Sequence, residues 1–93
     1  MITTIKLNKY GSVLTGREFG MDVSMELEKE LKPPVSVDFQ GVESMGSSFG
    51  DEVFPPLAAK QGGEIIVKNV NDTIWASLKD IASDAGISIK RET

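Results

Sequence analysis

Ninety-three residues, 40% hydrophobic and 26% charged, suit one ordinary soluble globular domain and are too few for two. Neither cysteine nor histidine is present, which excludes a disulfide framework, a thiolate zinc site, a thiol nucleophile, the Ser-His-Asp triad and the usual neutral-pH general base. Fourteen acidic against ten scattered basic residues give a formal charge of −4, which disfavours a nucleic-acid partner.

Ile2 to Leu7 alternates loosely and predicts a first strand, broken by Gly11 and Ser12. Thr15 stands three residues before Glu18, the spacing of a capping box, and Leu14 with Phe19 makes a hydrophobic staple. Phe19, Val23, Leu27 and Leu31 then recur every fourth residue, flanked by Met21 and Met25, as a one-sided buried helix requires. Of the methionines at 1, 21, 25 and 45, most are expected to fill the core. Pro33 and Pro34 end the helix, because neither can donate the next ladder bond.

Val35, Val37 and Phe39 alternate with Ser36, Asp38 and Gln40, giving a second strand. Gly41 to Gly46 is a loop with two apolar plugs, Val42 and Met45. Ser48 and Asp51 have capping-box spacing, so a second helix opens near the paired hydroxyls, with Phe49, Val53, Phe54 and Leu57 as its apolar face. Pro55 and Pro56 lie inside that pattern and predict a kink or a split near Phe54. Gln61, Gly62 and Gly63 turn the chain into Ile65-Ile66-Val67, a run that predicts a strand buried on both faces. Asn71 caps a last helix whose stripe is Ile74, Trp75, Leu78, Ile81, Ala82 and Ala85, with Gly86 as its left-handed terminator. Trp75 reads as core packing in preference to an exposed anchor, and Ser88 to Arg91 offers a final short strand.

The expected order is β-α-β-α-β-α, with a terminal β to follow: a single small α/β domain over residues 1–93, its largely parallel sheet covered by helices. In such sheets ligands and partners gather beyond the carboxyl ends of the strands, where helices begin. Ser47 and Ser48 fall there. A phosphate on Ser47 would meet free amides and the positive end of the helix dipole; the plainer alternative is that both serines only cap the helix.

The stretch VSVDFQGVESMGSSFGDEVF, Val35 to Phe54, resembles the signature of the STAS-like domain family of unknown function: a strand ending in Asp-Phe, a loop valine, then Ser-Ser-Phe-x-Asp-Glu opening a helix. That family is in turn similar to the STAS domains of bacterial anti-sigma-factor antagonists, which carry Asp-Ser-Ser-Gly at the corresponding place. The resemblance implies a cytoplasmic, non-catalytic signalling module that works by partner switching. Its partner would be a serine kinase with a histidine-kinase-like ATPase fold, or an anti-sigma-like factor. Carried over, the phosphoacceptor is Ser47, and the partner-binding residues are Asp38, Ser47, Ser48, Phe49, Asp51 and Glu52. Two positions depart from the antagonist pattern. Gly46 stands where antagonists have aspartate, and Phe49 replaces a glycine, setting a bulky side chain where the partner would approach.

No catalytic residue, metal or cofactor belongs to this reading, and no nucleic acid or membrane. Short apolar runs cannot cross a bilayer, and no basic region precedes an apolar stretch as in a secretory signal. One alternative is a small-ligand or metal-dependent protein using Asp38, Asp51 and Glu52, although adjacent helical carboxylates point about 100° apart. Another is a structural adaptor subunit that self-associates through an edge strand. Arg17, in the first turn of the first helix, reads as a solvated side chain with Asp38 or a phosphate as its possible partners.

Overall fold

The computed structural model describes residues 2–30 and 32–92. Leu31 and Met1, assigned above to the first helix stripe and to core filling, lie outside the described residues. The elements run β1 (Thr3–Lys6), a 3-10 turn (Leu7–Tyr10), β2 (Val13–Leu14), α1 (Arg17–Glu30), β3 (Val35–Asp38), β4 (Ser44–Met45), α2 (Ser47–Ala59), β5 (Glu64–Lys68), α3 (Asp72–Ala85) and β6 (Ser88–Glu92). The expected α/β order therefore stands, terminal strand included. The strands β1-β3-β5-β6 pair in parallel in that order. A two-residue parallel pairing of β2 with β4 adds a small second sheet that the loop sequences did not announce.

The order advances in one direction across the sheet, and right-handed crossovers then place every helix on the same face. Burial agrees. Ile5, Val35, Val37, Ile65 and Val67 point under the helices and are buried, whereas Thr4, Lys6 and Lys90 on the other face are exposed. Ile66 is only half-buried, so β5 is covered on one face where the sequence suggested two. Phe39 and Phe54 stack at 5.9 Å between sheet and α2, and Phe49 with Phe19 joins α2 to α1 at 5.5 Å. Gly20 makes that last approach possible: a Cβ there would lie 2.8 Å from the Phe49 carbonyl oxygen.

Met21 and Met25 are exposed, at 48% and 57%, and do not fill the core. At about 100° per residue they sit roughly opposite Val23, on the solvent side of α1. The expected capping box at Thr15 is absent. Leu14 is tied into the small sheet, with its carbonyl accepting from Gly46 N–H at 2.8 Å, so the chain is still extended there. The first helical bond instead runs from Gly20 N–H to Gly16 O, and α1 begins at Arg17. α2 likewise starts two positions earlier than Ser48–Asp51 spacing required: Gly46 is its N-cap, with no side chain capping it. It also runs through Pro55 and Pro56 without a break, because buried Phe54, Leu57 and Ala58 hold both sides of the proline pair to the core. α3 follows its sequence signals closely. Asn71 accepts from Ile74 N–H at 2.8 Å, and Gly86 closes the helix at φ 69°. Gln61, expected only as part of the turn, clamps two strands: its side chain bonds both backbone groups of Val35 and the carbonyl of Glu64.

Candidate functional site

The carboxyl ends of β1, β3 and β5 and the starts of α1, α2 and α3 share one end of the molecule, as parallel strands with helical crossovers dictate. Gly46 N–H donates to the Leu14 carbonyl across that end, and Asn71 Nδ2 donates to the Glu43 carbonyl at 3.0 Å, tying the third helix start to the loop before α2. Val42 and Met45 plug this loop into the core as expected, leaving Gln40, Gly41, Glu43 and Ser47 exposed.

Ser47 is the first residue of α2 and lies on the surface; Ser48 is half-buried beside it. The helix's first internal bond is made by Gly50 N–H to Gly46 O at 3.1 Å. The amides of Ser47, Ser48 and Phe49 therefore have no acceptor within the helix, and the N-cap supplies none. Gly46 has extended backbone geometry open to any residue, so glycine there withholds the capping oxygen that an aspartate would provide. Hydroxyl, uncapped amides and the positive dipole end thus coincide, a setting that favours added negative charge.

The remaining candidates divide. Asp51 is exposed on the next turn. Glu52 is half-buried and paired with Arg17 at 2.7 Å, which joins the first turns of α1 and α2; this, and neither Asp38 nor solvent alone, is what Arg17 engages. Phe49 is fully buried beneath Gly20 and Phe19, so it shapes the surface from below and offers no face to a partner. Asp38 is also buried, at 6% exposure, on the opposite face of the sheet. Its Oδ1 accepts from Gln40 N–H and from Asn69 Nδ2, both at 2.9 Å. Burial pushes its pKa up, but those hydrogen bonds, with Lys68 and Lys6 nearby, outweigh burial and leave it below the ordinary value. Asp38 is thus a clamp for the ends of β3 and β5. Asn69, held at φ 57°, is its partner, and no local sequence signal marks that pairing.

Asp38, Asp51 and Glu52 accordingly do different things in different places. Among the described residues no group of three or more acidic side chains is arranged to hold a metal ion. Trp75 packs half-buried against the core with the Arg91 guanidinium 5.6 Å from its ring, in line with the packing role. No described helix is long and apolar enough to cross a membrane.

A family model described as the STAS-like domain of unknown function matches residues 20–75, more than half of the chain, taking in most of α1, the Ser47 segment and the start of α3. The chain belongs to this STAS-like family. No curated relative and no solved structure matches it. STAS-like domains are generally non-catalytic, and membership points to a regulatory or protein-interaction role.

Proposed function

We propose that this STAS-like chain is a regulatory module that binds another protein through the loop from Gln40 to Ser48 and the first turns of α2, and that phosphorylation of Ser47 switches the contact. Its partner is a histidine-kinase-like ATPase acting as a serine kinase, or an anti-sigma-like factor, in the cytoplasm where ATP is available. The observation that supports this most is the exposed Ser47 hydroxyl at a helix start whose leading amides are uncapped. A phosphate there would be held against those amides while adding up to two negative charges to the contact surface. Ser48, Asp51 and the Arg17–Glu52 pair border that surface and give it polar character.

Incubation with the candidate kinase and ATP, followed by intact-mass measurement, should add about 80 Da to the wild type and nothing to Ser47→Ala. The phosphorylated protein should then bind its partner at least tenfold more weakly than the unmodified one. No mass gain, or a gain that survives Ser47→Ala, removes Ser47 as the phosphoacceptor.

A further inference from the structure

Parallel sheets ordinarily have both faces covered, and this one leaves a face open. On the open face the register aligns Lys6, Asp38, Lys68 and Glu92 in one row across all four strands, with Asp38 set low between its neighbours at 6% exposure and its Oδ1 held by Gln40 and Asn69. The row alternates in sign from edge to edge: plus, minus, plus, minus. Among the described residues, Lys6, Lys68 and Glu92 belong to none of the ion pairs within 4.0 Å; Lys90, on the next row, is already engaged with Glu64 at 3.4 Å.

We propose that this face packs against the same face of a second copy of the chain, about a two-fold axis parallel to the strands. Such an axis reverses the strand order and preserves strand direction. Lys6 then faces Glu92 of the second copy, Asp38 faces Lys68, and each pairing occurs twice. All four positions meet the opposite sign, whereas a row reading plus, minus, minus, plus would meet itself with like charges throughout. The next row, Thr4, Ser36, Ile66 and Lys90, sets Ile66 against Ser36 and Lys90 against Thr4, with no like charges opposed. Aligned stacking of two sheets about 10 Å apart accommodates this arrangement.

Four strands about 4.8 Å apart and five residues rising about 3.3 Å each outline a plane of roughly 19 by 16 Å. That is roughly 300 Å² per copy, below the about 800 Å² per partner of a standard interface, so the dimer is weak, transient and salt-sensitive. Ser47 lies on the helix side of the sheet, so the dimer leaves both of its surfaces open, at the same end of the assembly and on opposite flanks.

Sedimentation equilibrium of the full chain over a range of concentrations should show a monomer–dimer equilibrium that weakens as salt is raised. Lys6→Glu and Glu92→Lys, each at an exposed position, should each raise the dissociation constant about tenfold, with circular dichroism unchanged. An equimolar mixture of the two variants should dimerise again, and the double variant Lys6→Glu/Glu92→Lys should regain the wild-type constant. A monomer at every concentration overturns the proposal. So does a dimer that neither reversal weakens, as pairing through an edge strand would give, or a mixture that fails to re-associate.

Discussion

Removing the Asp38 carboxylate strands two donors at once, the Gln40 amide and the Asn69 side chain, at a buried strand end. Asp38→Ala should therefore cost about 1–3 kcal/mol of stability at neutral pH. The pH dependence follows from the depressed pKa. A carboxyl held below its ordinary value of 3.8 contributes stability that is fully present above that value and is lost as pH falls through the folded-state pKa. Urea titrations of wild type and Asp38→Ala should thus differ most at neutral pH and converge in acid as pH falls through the lowered folded-state pKa. A gap that stays constant with pH would contradict the clamp. Phe49 teaches a related lesson at the same scale. Its place in the motif suggested contact with a partner, yet the close approach of Gly20 puts it wholly inside.

Three helix starts carried capping signals in the sequence, and only one of them is used. Asn71 caps α3 through a real hydrogen bond, whereas Thr15 lies before the N-cap of α1 and Ser48 sits inside the first turn of α2. Asn71→Ala should lower the unfolding free energy by about 1 kcal/mol, while Thr15→Ala and Ser48→Ala should each change it by less than about 0.5 kcal/mol. Thermal melts of the three variants measure this directly, and a loss at Thr15 equal to that at Asn71 would refute it. The difference arises because β2 and β4 hold the chain extended through Leu14 and Met45, so the small sheet decides where α1 and α2 begin. α2 makes the same point at its other end. Two prolines sacrifice ladder bonds, and burial of Phe54, Leu57 and Ala58 still keeps the helix whole.

Across the whole molecule, one contiguous core runs from Ile5 to Ile81, joining all three helices to one side of the sheet. The chain should therefore unfold as a unit. Trp75, its sole tryptophan, reports on the α3–β6 end, and far-UV circular dichroism reports on all helices. In urea, at concentrations below dimerisation, the two transitions should coincide with a slope of about 1 kcal/mol/M. Loss of Trp75 signal ahead of the helical signal would mean that α3 and β6 open independently. The match to the STAS-like family covers residues 20–75 and so stops short of β6; the strand continues the sheet beyond it.

Element types, their order and most core positions were legible in the residues themselves, because alternation, fourfold spacing, the Asn71 cap and the Gly86 stop act over a few neighbours in the chain. The strand–loop–helix segment around Ser47 was legible for the same reason. Tertiary structure alone decided which strand lies beside which, and hence that every helix covers one face. It set the true helix starts through β2 and β4, buried Phe49 under Gly20, paired Arg17 with Glu52 and gave Asp38 to Asn69. It also drew Lys6, Asp38, Lys68 and Glu92 into one row. Each of these joins residues far apart in the chain, and such pairings depend on strand order and packing, which no local pattern encodes.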